Sequence, residues 1–234
     1  MTRNFDNILS RYIELLAGID RWFNRCQSTF PAEIRCGQGC SGCCRGLFDV
    51  TLLDAWLVRH GFLQLNPESQ ERIRLAAEAR VNAMRSHWPE FSPPYILNGR
   101  PDDEWELLMP DDDETPCVFL DDSGRCLIYE HRPMTCRLHG LPLVDLSGEV
   151  MHEEWCTENF VASDPLKISG LRGHFISQFR TEVSFMVELT TELFGHGVGE
   201  LDTFIPLAVL VDYDRFDWRG WRQQSVLIEN GPLT

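Results

Sequence analysis

The sequence predicts an α+β fold, mainly helical, in which a small β-hairpin region and a cysteine-rich loop pack on amphipathic helices. Three observations predict it: apolar residues at helical spacing near both ends, two apolar–turn–apolar stretches in the middle, and nine cysteines, eight of them in two spaced groups. With 234 residues, 43% of them hydrophobic, the chain is long enough to bury a core without help from disulfides. We expect one domain over residues 1–234.

Phe5, Ile8, Leu9, Tyr12, Leu15, Leu16, Ile19 and Phe23 recur at helical spacing and predict an amphipathic first helix over residues 5–24, with Pro31 marking the exit of a flanking segment 1–30. Asp49 and Thr51 read as caps of a helix ending near Gly61, and Pro67 with Glu68 opens another that runs to about His87. These form a helical insertion at 49–87. Pro89 to Pro101 reads as a long connection. The stretches CVFL-DDSG-RCLIY and LPLV-DLSG-EV each read as a hairpin built on an Asp-x-Ser-Gly turn. Beyond Asp164, the spacing of Leu171, Phe175, Phe179, Val183, Met186 and Leu189 predicts a second flanking helix within 164–196 that stops at Gly195. The later stretch FIPLAVLVDYDRFDW fits strand or helix, and we read it as core.

A formal net charge of −15 argues against nucleic acid as a partner, since neutralising phosphate requires a basic surface. Asp111, Asp112, Asp113 and Glu114 form an acidic run that reads as a solvated loop rather than a cation site. No apolar run approaches the roughly 20 residues of a membrane span, and the first residues carry charges where a signal peptide needs an apolar stretch. The expectation is a cytoplasmic protein without a membrane span. Thiols are kept reduced there, so dense cysteines point to metal ligation or catalysis; the competing reading is a secreted, disulfide-linked chain.

The first cysteine group, CGQGCSGCC, supplies Cys36, Cys40, Cys43 and Cys44. The Cys40-x-x-Cys43 step lets a tight turn aim two thiolates at one ion, and Gly39 and Gly42 give the backbone freedom for it. Adjacent Cys43 and Cys44 point apart in an extended segment, which assigns them to different metals or leaves one behind the ligands. The second group is Cys117, Cys126, Cys136 and Cys156. Eight thiolates suit two four-cysteine zinc sites, one iron–sulfur cluster plus one zinc, or a larger iron assembly. We expect the two groups to meet, because neither completes a tetrahedron easily alone. Arg35, Arg45, Arg125 and Arg137 sit beside motif cysteines as candidate counter-charges. His131, His139 and His152 are alternative ligands, and Cys26 on the first helix reads as a small buried hydrophobe.

CGQGCSGCC, then PCVFLDDSGRCLIYEHRPMTCRLHG, then Cys156 together resemble the YkgJ-type cysteine-cluster family, a CxxCxxCC domain described as chelating zinc or iron. The resemblance covers residues 36–156, with three residues between Cys36 and Cys40 where the family's short name has two. It implies a bound metal ion or cluster and no assigned reaction. A related cysteine cluster occurs in flagellin lysine methylases, and Cys36, Cys40 and Cys43 reproduce the CxxxCxxC spacing of radical S-adenosylmethionine enzymes, without the aromatic residue those usually carry before the third cysteine. The leading expectation is therefore a zinc or iron–sulfur centre, structural or carried, which the cysteine loop and hairpins enclose. The rival is an iron–sulfur enzyme acting in redox or S-adenosylmethionine-linked methyl transfer.

Overall fold

A computed structural model describes residues 5–37, 39–110 and 112–224. Helix α1 (Phe5–Thr29) runs past residue 24 almost to Pro31, and its buried stripe is Phe5, Ile8, Tyr12, Leu16, Ile19, Trp22 and Cys26, the three- and four-residue spacing of one helix face. Strand β1 (Asp49–Thr51) leads directly into α2 (Leu52–Leu63). Thr51 caps α2, its hydroxyl accepting from the Asp54 N–H at 3.4 Å. Nine of the twelve α2 residues are buried, so this helix runs through the core rather than along its surface.

Asn66 caps α3 (Pro67–Met84), accepting from the Ser69 N–H at 2.9 Å, with proline in the first turn. The helix ends a few residues before His87. The connection that follows is packed rather than loose: Trp88 stacks on Phe91 at 4.4 Å and Arg100 lies over Trp88, while Tyr95, Ile96 and Leu97 are buried. Helix α4 (Asp102–Trp105) and a 3₁₀ turn, Glu106–Leu108, lead to the acidic run. That run is not simply solvated. Asp113 pairs with Arg80 at 2.7 Å and accepts from the Thr115 N–H; Asp111 lies outside the described residues.

The first Asp-x-Ser-Gly turn closes a hairpin held by a single bridge, Leu120 to Cys126, too little pairing to make strands. Short α5 (Met134–Leu138) follows. The second turn does make a ladder, joining β2 (Leu143–Val144) to antiparallel β3 (Val150–His152). In both turns the leading aspartate accepts from the serine N–H at 2.9 Å and the glycine takes a positive φ, +77° at Gly124 and +93° at Gly148. The two sequence stretches thus share local chemistry even though one pairs further.

Helix α6 (Phe175–Phe194) starts later than the apolar spacing suggests, after two 3₁₀ turns, Pro165–Lys167 and Ser169–Leu171. It stops at Gly195, whose φ is +87°. Strand β4 (Asp202–Phe204) pairs antiparallel with β1 in the register Val50 to Thr203, an association between distant segments that the sequence did not suggest. A buried 3₁₀ turn, Ile205–Val209, packs on α2 and α3, and α7 (Trp218–Gln224) packs on α6. The fold is α+β and mainly helical. No helix among the described residues is long and apolar enough to cross a membrane.

Candidate metal centre

Both cysteine groups reach one cavity of about 140 Å³. The chain enters from α1, whose Gln27 donates to the Cys36 carbonyl. It then turns through Cys40 to Cys44, where it lies against the first hairpin. There the Cys117 N–H donates to the Cys44 carbonyl at 2.8 Å, and Arg45 bridges to Pro116. Cys36, Cys40, Cys43 and Cys44 of the first group and Cys117, Cys126 and Cys136 of the second line the cavity. Cys156 is the eighth candidate and does not line it. It stands behind Cys36: a Cβ built on Gly140 would lie 2.8 Å from the Cys36 sulfur and 3.9 Å from the Cys156 Cβ.

These thiols surround a space without converging on a point. Among the described residues, no group of three or more His, Cys, Asp or Glu side chains is arranged to hold a metal ion. The expectation that the loop and hairpins enclose a formed metal site is corrected accordingly. The reason lies in the backbone routes. The first group lies in a turn whose Cys40 and Cys43 are exposed, whereas Cys117, Cys126 and Cys136 are half-buried on elements anchored in the core. In donor chemistry the set still suits zinc or iron, because soft thiolates and imidazole are the preferred ligands of both.

Five of these thiols are pushed toward their neutral form. Burial pushes Cys36 and Cys117 up to about 11 and raises Cys126 and Cys136 as well. At Cys43 the hydrogen bond with Cys44 is the main cause of the upward shift. Arg132 works in the opposite direction at Cys43 and Cys126. It lines the cavity, lies 3.6 Å over the Tyr129 ring and pairs with Asp20 of α1 at 3.6 Å. Arg137, next to Cys136, is buried and pairs with the same Asp20, while its other nitrogens donate to the Arg132 and Glu130 carbonyls. It braces α5. Arg35, Arg45 and Arg125 pair instead with Glu158, Glu114 and Asp121.

Of the three candidate histidines, His139 borders the cavity, edge-on to Phe48. His131 packs against His60 and Gly61 on α2. His152 lines a second cavity, of about 510 Å³, that shares Thr135 and His139 with the first. Cys26 is fully buried on α1, as expected of a small apolar residue.

The α+β fold and the thiol-lined cavity define a cysteine-rich protein with metal-ligand chemistry. Residues 35–157 match the family model CxxCxxCC, described as a putative zinc- or iron-chelating domain. The match covers more than half of the chain, and the protein belongs to this family, the YkgJ-type cluster that its motifs resemble. No curated protein and no solved structure matches it.

Proposed function

We propose that the protein binds zinc or iron through cysteine thiolates drawn from both sequence groups. The observation that carries this reading is one cavity lined by seven of the eight candidate cysteines. Their electrostatic neighbours overlap at one residue: Cys136 senses Cys117, Cys126 and Cys43, and Cys36 senses Cys156, Cys40 and Cys43. Cys117, Cys126 and Cys136 would form one ligand set and Cys36, Cys40 and Cys156 another, with Cys43 able to join either. Such a centre supplies cross-linking of the loop, the hairpin and α5, and each thiol gives up its proton on binding.

The rival reading, an iron–sulfur enzyme, draws its support from the second cavity, which adjoins the first at Thr135 and His139 and offers a place for a substrate. Purification under anaerobic conditions, elemental analysis, a visible spectrum and X-ray absorption at the metal edge test both readings. Sulfur scattering around zinc or iron is the expected result. A folded, metal-free protein containing four disulfides would end the proposal.

A further inference from the structure

Asn159 is fully buried and lies just beyond the segment that matches the family model. Its orientation is fixed by partners that can act in only one sense. Oδ1 accepts from the Arg35 backbone N–H at 2.8 Å, and Nδ2 donates to the Gly140 carbonyl at 2.7 Å. A flipped amide would set donor against donor and acceptor against acceptor. The remaining hydrogen on Nδ2 is directed at the Cys36 sulfur, 3.0 Å away. The same residue's backbone N–H donates to the Cys156 carbonyl at 2.9 Å. One side chain therefore ties the backbone of Arg35, immediately before Cys36, to that of Gly140 and aims an N–H at the Cys36 sulfur.

We infer that Asn159 is a positioning residue for metal binding, one that orients Cys36 and stabilises its thiolate through an N–H···S hydrogen bond. The inference rests on the thiolate-binding reading above. A neutral thiol gains little from such a donor; a thiolate gains a charge-assisted bond. A buried amide N–H also offsets part of the negative charge that several thiolates accumulate around one ion, the role that groups behind metal ligands ordinarily serve. Cys36 departs in spacing from the family's short name. Asn159 supplies an independent reason to place it among the ligands.

The test is a double-mutant cycle read by Co(II), titrated anaerobically into the metal-free, reduced protein and followed by the thiolate-to-cobalt charge-transfer absorption. Asn159→Ala is expected to weaken Co(II) binding about tenfold. In a Cys36→Ser background the same substitution is expected to change affinity less than about threefold, because a residue that acts through a sulfur has nothing to act on once it is gone. Equal losses in the two backgrounds, or no loss in either, would overturn the assignment. Asn159→Asp provides a second probe if the alanine variant does not fold. It keeps the acceptor for Arg35 and turns an oxygen towards Cys36, and it should weaken Co(II) binding further than alanine; an unchanged affinity overturns the assignment. A parent protein without the charge-transfer band ends the thiolate reading itself, and this inference with it.

Discussion

The backbone N–H of Cys117 donates to the carbonyl of Cys44 at 2.8 Å, joining the last cysteine of the first group to the first cysteine of the second. This bond makes the walls of the cavity neighbours at the level of the main chain. Cys43 and Cys136, one from each group, line the same cavity. Cys43→Ser and Cys136→Ser should each lower metal content and thermal stability together, because ligand binding energy at such a site is also folding energy. Loss of a ligand present at a hundred times its Kd removes about 2.7 kcal/mol, or roughly 5–10 °C for a chain of this size. Elemental analysis with thermal melting measures both quantities, and full occupancy with a parental melt would remove that cysteine from the ligand set.

Cys26 provides the matching control. It is fully buried on α1 and does not line the cavity. Cys26→Ala should leave metal occupancy unchanged and cost about 1 kcal/mol in packing. Metal loss in this variant, measured by the same elemental analysis, would contradict its placement.

Two glycines of positive φ separate backbone strain from displacement of a sulfur. At Gly39, φ is +95° and an added Cβ meets nothing within 4 Å; at Gly140, φ is +105° and the Cβ would stand 2.8 Å from the Cys36 sulfur. Gly39→Ala should cost only about 1 kcal/mol of strain. Gly140→Ala should cost more than that and also reduce metal content. Denaturant titration and metal analysis of the pair distinguish them, and equal behaviour would deny the contact any role.

Asp54 predicts a pH dependence. Buried on α2, it accepts from the Tyr12 hydroxyl at 2.8 Å and from the Met134 N–H at the start of α5, and burial pushes its carboxyl up to about 8. An unfolded aspartate titrates near about 3.9, so the folded state holds the extra proton between these values. The resulting stabilisation is complete below about pH 4 and is lost as pH rises through about 8. Unfolding free energy of the metal-free protein should fall across this range. Asp54→Asn, which keeps the shape and an acceptor, should reduce that slope by about 1 kcal/mol per pH unit. Guanidinium titrations at several pH values test this, and an unchanged slope would mean that Asp54 is ionised in the fold.

The long helices were legible because a repeated apolar spacing survives whatever surrounds it. Phe5 to Phe23 announced α1, and Gly195 announced the end of α6. The pairing of β1 with β4 was not legible. Each strand has three residues, too few to show alternation, and Asp49 and Thr51 equally suit a helix cap. For the arginines, adjacency in sequence was an uneven guide, since neighbouring side chains diverge. Arg35, Arg45 and Arg125 turn to nearby carboxylates, while Arg137, beside Cys136, and Arg132, which is not beside a cysteine, both border the cavity. Asn159 carried no sequence signal, because a lone asparagine becomes informative only when its partners are known.

The β1–β4 ladder bears on how the recognisable segment is used. Residues 35–157 carry every candidate ligand, yet β1 takes its strand partner, and α2 part of its cover, from residues 202–209. An excised 35–157 fragment would leave Val50 and Leu52 without their partners Thr203 and Leu201, and it should aggregate or remain molten when expressed alone. The cysteine segment is built less like a cassette that can be moved between proteins than like an inlay, because its β1 and α2 are completed by residues beyond it.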